Sequence, residues 1–126
     1  MKLTRCKLGK VLELQRGYDL PSSQMEKGDI LVAGSNGVIG YHNEARSNHP
    51  CITVGRSGSV GKVHYYEQAT WAHNTALFVK DFKGNDPKYL YYFLKNLHLD
   101  KMFDKGSSVV PSLDRKVVHS LNVPCH

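Results

Sequence analysis

The sequence predicts an α+β fold, and three observations support this prediction. The chain has 126 residues, which is enough for one compact domain, residues 1–126, and too few for two. Its first two thirds contain short apolar or β-branched runs separated by glycine-rich turns. Its last third contains a stretch in which apolar residues recur at helical spacing. Strands grouped ahead of one helix are typical of an α+β fold rather than of alternating βαβ units.

Five strands are predicted from the short apolar runs, which lie at residues 30–33, 38–41, 51–54, 63–66 and 76–80. Asn36-Gly37 is a favoured hairpin dipeptide and separates the first two runs. A polar loop over residues 43–50 precedes the third run. The segments AGSNGVIGYHN and VGRSGSVGKVHY share one plan of strand, glycine turn and strand. We therefore expect two similar units that pack side by side.

One main helix is predicted near residues 86–104. Asp86 can cap its free N–H groups, and Pro87 is tolerated at the first helical position. Apolar side chains follow at helical spacing, at Leu90, Phe93, Leu94 and Leu97. Gly106 is the expected C-terminal cap. A last strand is expected to include Val117, Val118, Leu121 and Val123.

The charge balance limits the class of partner. The formal net charge is +6 and the sequence pI is about 9.3, which favours an acidic partner, most commonly nucleic acid. The alternative is a basic protein without such a partner. No apolar run is long enough to cross a bilayer, and the N-terminus lacks the apolar region of a secretion signal. Cys6, Cys51 and Cys125 are far apart, so we expect reduced thiols in a cytoplasmic protein, with Cys51 buried in a strand.

The stretch GRSGSVGKV, residues 55–63, resembles a phosphate-binding loop at first sight. A P-loop requires G-x-x-x-x-G-K followed by Ser or Thr. Gly55 lies one residue too early for this pattern, and Val63 provides no oxygen for a metal. The following residues favour a strand rather than a helix. A hairpin turn that needs positive φ is the simpler interpretation, and an anion-binding loop is the alternative.

Metal and catalytic sites are not predicted. None of the seven histidines forms an H-x-x-x-H pair with a nearby acid, and no cysteine pair joins them. The chain contains no G-x-S-x-G nucleophile elbow. We therefore expect no cofactor.

Four segments together resemble a known family. They are GDILVAGSNGVIGYHNE, ITVGRSGSVGKVHY, WAHNTALFVKDF and VPSLDRKVVHSLNVP, in this order. They resemble a target recognition domain from the DNA specificity subunit of type I restriction–modification systems, over about Lys7 to Pro124. The resemblance implies an N-terminal part similar to a double β-helix and a role in sequence-specific recognition of double-stranded DNA without catalysis. It also implies partner subunits that methylate adenine or cut DNA.

The sequence departs from this family at two places. The family motif continues into a long spacer helix that pairs with its counterpart, whereas this chain stops at His126. The resemblance implies docking to methylation and restriction subunits and pairing with a second recognition domain. Asp114 stands where relatives usually have Asn, and we expect it to form a turn or to pair with Arg115.

Candidate DNA contacts fall into two groups. Phosphate contacts need cations, backbone N–H groups and short hydroxyls, and base contacts need bidentate side chains on loops. The phosphate group comprises Ser35, Asn36, Arg56, Ser57, Ser59, Lys62, Arg115 and Lys116. The base group comprises Asn43, Arg46 and Asn48. For both groups the alternative is a scaffold turn or a solvated loop. A second polar loop of the same kind contains Arg16, Tyr18, Ser22, Ser23 and Gln24.

Two further residue groups have structural interpretations. Trp71 is expected in the core or in the wall of a groove, and His73 and Asn74 are expected to satisfy backbone groups at a turn. The first functional hypothesis is sequence-specific DNA recognition in a type I system. The alternative is a basic protein-interaction module without DNA specificity, and a small nucleotide-binding enzyme is third.

Overall fold

The computed structural model describes residues 4–47, 50–102 and 113–125. Its strands are β1 (Thr4–Lys7), β2 (Glu13–Arg16), β3 (Ile30–Gly34), β4 (Gly37–His42), β5 (Cys51–Gly55), β6 (Val63–Tyr66), β7 (Thr70–Ala72), β8 (Ala76–Asp81) and β9 (Asn122–Cys125). Its helices are α1 (Pro87–Leu97), α2 (Leu99–Met102) and α3 (Arg115–His119). Short 3-10 turns lie at Leu8–Lys10 and Ser22–Gln24. Within these described ranges, no helix is both long and apolar enough to span a membrane.

The strands form three sheets. The largest has the order β2-β8-β5-β6, with every neighbouring pair antiparallel. A second sheet has the order β4-β3-β7, in which β3 and β4 form the predicted hairpin and β7 runs parallel to β3. The third pairs β1 with β9 and so joins the two ends of the chain. The predicted α+β class is confirmed.

All five predicted strands are present, as β3, β4, β5, β6 and β8, but three others were missed. β1 (TRCK) is mostly polar and exposed, so it has no apolar pattern. β2 (ELQR) contains one apolar residue, Leu14, and is a strand because it pairs with β8. β7 has only three residues. In each case long-range pairing, and not local pattern, determines the strand.

The main helix starts where predicted and ends earlier. Asp86 caps it, because its carboxylate accepts a hydrogen bond of 3.0 Å from the Tyr89 N–H. The helix ends at Leu97, since His98 has the left-handed φ and ψ of 55° and 50°. The chain then turns into α2, which buries Leu99 in the core. The prediction of one main helix is confirmed, although the break at His98 separates α1 from α2 within the predicted range. Gly106 lies outside the described residues.

The C-terminal segment also differs from its prediction. Val117 and Val118 belong to α3 and not to a strand, which starts only at Asn122. Asp114 begins this helix, because its carboxylate accepts a hydrogen bond of 2.8 Å from the Lys116 N–H. The predicted turn role of Asp114 is thus confirmed. The short helix lets Val118 reach the core while Val117 stays exposed.

The main core lies between one face of the four-stranded sheet and the helices. Leu14, Ile52, Val54, Leu77 and Val79 come from the sheet, and Leu90, Leu94, Leu99 and Val118 come from the helices. Two smaller clusters fill the space on the other side of the sheet and around β3 and β7. Trp71 is buried there, as predicted, and its indole N–H donates to the Tyr18 carbonyl at 3.1 Å.

The cysteines agree only in part with the prediction. Cys51 is buried in β5, and burial raises the pKa of its thiol to about 11, although a hydrogen bond with Ser47 opposes this shift. Cys6 is disulfide-bonded. The prediction of a reduced thiol was therefore wrong for Cys6. Cys6 lies in β1, which pairs with β9 across almost the whole length of the chain, and the sequence spacing does not indicate this pairing.

His119 connects α3 to the four-stranded sheet. Its hydrogen bond and lowered pKa indicate that the stability of the fold depends on pH. The Leu14 N–H donates to His119 Nε2 at 2.9 Å. Burial, and next the charge of Arg115, lower the pKa of His119 from its ordinary value of 6.5. The unfolded state therefore binds the proton more readily, so stability is full above pH 6.5 and is lost as the pH falls below it.

Chemical denaturation between pH 7.5 and 5.5 checks this prediction. We expect the free energy of unfolding to fall over this range. His119→Gln should reduce the fall, because an amide oxygen can accept the same hydrogen bond without titrating. His64, whose pKa burial also lowers, should maintain a residual dependence. An unchanged slope in His119→Gln would contradict the assigned role.

Candidate nucleic-acid interface

The glycine turn between β5 and β6 is a hairpin connection, as the simpler interpretation predicted. It is closed by hydrogen bonds of 2.8 Å from Gly55 N to Lys62 O and from Gly61 N to Gly55 O. Gly58 and Gly61 have φ of +78° and +84°. A Cβ on Gly61 would lie 2.4 Å from the Asp100 backbone nitrogen. The turn therefore packs tightly against α2.

The two glycine turns also meet, as the repeated sequence plan predicted. The Ser59 N–H points to Ser35 Oγ at 3.5 Å, and Gly58 faces the same hydroxyl. Ser35 is half-buried by this contact, whereas Asn36 is exposed. Ser35 and Ser59 thus link the β3–β4 hairpin to the β5–β6 hairpin, and Asn36 remains accessible at the turn.

The two cations of the second turn point to different clefts. Lys62 lies 3.8 Å from the Asp100 carboxylate and lines a cleft against α1 and α2. Arg56 lines a different cleft, and its guanidinium donates to the Asn74 backbone carbonyl at 3.2 Å. The structure therefore does not bring Arg56 and Lys62 into one contact surface, although the sequence places both on one turn.

Three arginines converge on an open cleft of about 330 Å³. Arg16 ends β2, Arg56 follows β5, and Arg115 begins α3. Leu77, Leu113 and Asp114 line the rest of this cleft, which we call the arginine cleft. The charged residues that line it are three cations and one anion.

Each arginine of the cleft is positioned by the fold. Arg16 pairs with Leu77 across β2 and β8, and its guanidinium lies 3.6 Å from the Asp19 carboxylate. The backbone of Arg56 donates to Thr75 O at 2.9 Å and accepts from Leu113 N at 2.7 Å. The Arg115 guanidinium donates to Leu14 O at 3.5 Å. These contacts bring the three arginines to one cleft.

The arginine cleft is suited to an oxyanion. A guanidinium presents a planar set of donors that matches phosphate or carboxylate oxygens in a bidentate arrangement. The carboxylate of Asp114 opposes an anion, but it already accepts the Lys116 N–H. Because the three like charges line one cleft, a bound phosphate would relieve their mutual repulsion.

Two of the other predicted phosphate contacts, Ser57 and Lys116, are sequence neighbours of arginines that line this cleft. Ser57 is half-buried beside Arg56, and its N–H donates to Thr75 O at 3.2 Å. Lys116 is exposed on α3. Arg56, Ser57 and Arg115 are thus brought close together, whereas Lys62 is not.

The predicted base contacts lie on the loop after β4. Asn43 is exposed and donates to the Glu26 carboxylate at 3.3 Å. The Arg46 guanidinium carbon lies 4.0 Å from the centre of the Tyr18 ring. Asn48 lies outside the described residues. The loop therefore presents one amide engaged with an acid and one guanidinium stacked on an aromatic ring.

Arg16 was predicted in a second polar loop of the base-contact kind, and its place beside Arg56 and Arg115 was not predicted. Its sequence neighbourhood is a polar loop, and nothing local indicates that β2 pairs with β8 and faces the residues after β5. The only usable signal was its position two residues after Leu14, which puts both side chains on one face of a strand.

The predicted role at a turn is confirmed for His73, whose ring accepts a backbone N–H, and it stays a prediction for the Asn74 side chain. Thr75 donates its N–H to His73 Nδ1 at 3.3 Å, and its hydroxyl lies 3.0 Å from the same atom. The Asn74 carbonyl accepts the hydrogen bond from Arg56.

Comparison with protein-family models decides the affiliation. Residues 3–125 match the family described as type I restriction modification DNA specificity domain. The chain belongs to this family. No curated protein matches the sequence.

Solved structures show the same fold. An S subunit of a type I restriction–modification system from M. genitalium superposes with a TM-score of 0.81, at 21% identity, over 98% of this chain and 34% of that chain. An HsdS subunit from Thermoanaerobacter tengcongensis superposes with a TM-score of 0.68, at 15% identity, over 97% of this chain and 32% of that chain. A chain from a structural study of type I system assembly and conformational transition superposes with a TM-score of 0.72, at 14% identity, over 97% of this chain and 33% of that chain.

The DNA specificity domain described here thus spans about a third of the length of the S subunits it matches. At these identities the structural matches support the α+β fold. The family model, and not the superposition, carries the affiliation.

The packing of the glycine turn predicts unequal effects of two alanine substitutions. Gly61 and Gly84 have similar φ, +84° and +80°, but only Gly61 has backbone atoms where a Cβ would lie. Gly84→Ala should lower the free energy of unfolding by about 1 kcal/mol through backbone strain. Gly61→Ala should lower it by about 2–4 kcal/mol, because overpacking against α2 adds to the strain. Equal losses in chemical denaturation would show that the turn does not pack against α2.

Proposed function

We propose that this DNA specificity domain recognises one part of a double-stranded DNA target for a type I restriction–modification system. The observation that carries the proposal is the arginine cleft, in which Arg16, Arg56 and Arg115 share one opening. Membership of the DNA specificity family supports the same conclusion. The overall charge of +6 adds an attractive field for a polyanion.

Affinity comes mainly from phosphate contacts at the arginine cleft. Each cation that neutralises a phosphate releases counterions, so binding weakens as salt rises. The cleft supplies bidentate donors, and the half-buried turn around Ser57 places short polar groups beside Arg56. Such contacts fix the register of the protein on the duplex without reading its sequence. Side chains on loops, with Asn43 and Arg46 among them, supply the base contacts.

The domain itself has no catalytic role in this proposal. Membership of the DNA specificity family supports this part of the proposal. Partner subunits of the type I system would methylate adenine or cut DNA, and the domain would direct them in the cytoplasm. The match to about a third of each S subunit supports a role as one recognition domain within such a subunit.

A protein-interaction module is the second candidate, and β4 favours it. This strand is an edge of its sheet, and Val38, Ile39 and Tyr41 expose 45%, 51% and 54% of their surface. An exposed apolar edge is a common docking element. This candidate predicts no preference for any DNA sequence.

Selection from a random pool of duplex DNA with the purified 126-residue chain distinguishes the two candidates. Enrichment of one short asymmetric motif, with affinity that falls as salt rises, supports DNA recognition. Retention without enrichment would show phosphate binding alone. No retention at low salt would refute the proposal and favour the protein-interaction module.

The cleft geometry predicts different effects of two charge removals on one turn. Arg56→Ala should weaken binding to all sequences about equally and reduce the salt slope by about 0.9. Lys62→Ala should have a smaller effect, because Lys62 pairs with Asp100 in another cleft. Equal effects would mean that the whole turn faces DNA.

Arg56→Lys controls for the structural contacts of Arg56. It keeps the charge but loses the planar donors, so it should retain most of the salt slope with reduced affinity. Relaxation of a single base position in Arg56→Ala would instead make Arg56 a base-contacting residue.

A further inference from the structure

The loop after β4 is anchored to β7 at Arg46. The Arg46 N–H donates to Thr70 O at 3.1 Å, and Arg46 forms an isolated parallel bridge with Trp71. The hydroxyl of Ser47 donates to the same Thr70 carbonyl at 2.7 Å. The backbone of Arg46 is therefore fixed before any ligand binds, although the side chain is exposed.

An aromatic platform fixes the side chain of Arg46. The guanidinium carbon lies 4.0 Å from the centre of the Tyr18 ring and 5.7 Å from that of Trp71. Tyr18 is held in turn, because the Gln15 amide donates to its hydroxyl at 2.8 Å. Its ring also packs against Trp71 and Phe78, with centroid distances of 6.3 and 5.8 Å.

The hydrogen-bond donors of Arg46 remain available. Among the described residues, its guanidinium makes ring contacts but neither a hydrogen bond nor an ion pair. A guanidinium carries five N–H donors in a fixed plane, and stacking on Tyr18 restricts the orientation of that plane. Pre-organisation of this kind lowers the entropic cost of binding.

The surroundings of Arg46 favour a base edge over a phosphate. Its platform carries the neutral Gln15 amide and Tyr18 hydroxyl. Glu44 is exposed on the same loop, and its carboxylate would repel a phosphate. The arginine cleft, by contrast, concentrates three cations. Guanine O6 and N7 are the two adjacent acceptors that match a planar guanidinium in the major groove.

Arg46 and the arginine cleft are connected through one crossing of the chain. After Arg16 the chain passes His73 so closely that a Cβ on Gly17 would lie 2.0 Å from the His73 carbonyl. The Tyr18 N–H then donates to Ala72 O at 2.8 Å. Tyr18, on which Arg46 stacks, is thus fixed two residues after Arg16, which lines the arginine cleft.

We propose that Arg46, held on the Tyr18 ring, determines specificity by bidentate contact with a guanine of the target, and that Tyr18 is its positioning residue. The proposal deepens the proposed function and rests on it. It assigns phosphate binding to the arginine cleft and base readout to the Arg46–Tyr18 pair.

The test applies the random-duplex selection to the wild-type chain and to Arg46→Ala, Arg46→Lys, Tyr18→Phe and Tyr18→Leu. Competition binding on the wild-type target and its single-base variants then gives discrimination at each position. Arg46→Ala should lose about 5- to 150-fold of the discrimination at one guanine and leave the other positions unchanged. Arg46→Lys should recover only part of it, because an ammonium lacks the planar pair of donors.

The Tyr18 variants separate positioning from folding. Tyr18→Phe keeps the ring and should retain preference for the guanine, whereas Tyr18→Leu should relax the same position as Arg46→Ala. Thermal unfolding of each variant identifies a loss of fold, and discrimination is compared only among folded variants. Lys88→Ala, which removes one exposed charge from α1, is the charge-matched control and should change no base preference.

The outcomes are distinct. A weaker affinity of Arg46→Ala for all sequences, with the selected motif unchanged, would make Arg46 a phosphate contact and overturn the inference alone. A motif that contains no guanine sensitive to Arg46 would overturn it as well. Failure of the wild-type chain to enrich any sequence would refute the proposed function and the inference together.

Discussion

The arginine cleft and the stacked Arg46 both depend on the connection between β7 and β8. Its backbone accepts the N–H of Tyr18 at Ala72, that of Arg56 at Thr75 and that of Gly17 at Ala76. It also donates from His73 to Ala33 in the three-stranded sheet. Residues 72–76, which are this connection and the strand residue on each side of it, therefore join two sheets. They also hold the segments that carry Arg16, Arg56 and Tyr18. Buried backbone groups must be paired, so this geometry cannot shift without loss of several hydrogen bonds.

This constraint explains how like charges can be concentrated at low cost. Arginines that share a cleft repel one another, and the repulsion is smaller where water surrounds them. The Arg16 guanidinium is about half exposed, 53% for its side chain, and Arg115 is exposed as well. The sheet and the caps supply the stability of the fold, and the cations need only be positioned. Solvated cations on a rigid backbone suit a polyanion. The phosphates of the polyanion can replace water and counterions around cations that are already in position.

The sequence predicted what depends on local chemistry. The apolar runs located five strands, Asp86 located the start of the helix, and the glycine spacing located two turns that meet. Local pattern failed where distant segments determine structure. β2 is a strand because it pairs with β8, Cys6 is disulfide-bonded in a strand that pairs with the far end of the chain, and α1 ends at His98 so that Leu99 can be buried. The arginine cleft was not predicted for the same reason, since Arg16, Arg56 and Arg115 come together only after the sheet and α3 have formed.

The glycine turn shows that residues adjacent in sequence can serve different parts of the structure. Its glycines and cations suggested one anion-binding loop, but the glycines serve packing, because Gly61 contacts α2 and Gly58 faces Ser35. Arg56 and Lys62 line different clefts, and Lys62 pairs with Asp100. Only Arg56 meets cations from other elements. An electrostatic site in this domain is therefore a property of the assembled sheets, and the turn contributes to it by fixing where one side chain leaves the backbone.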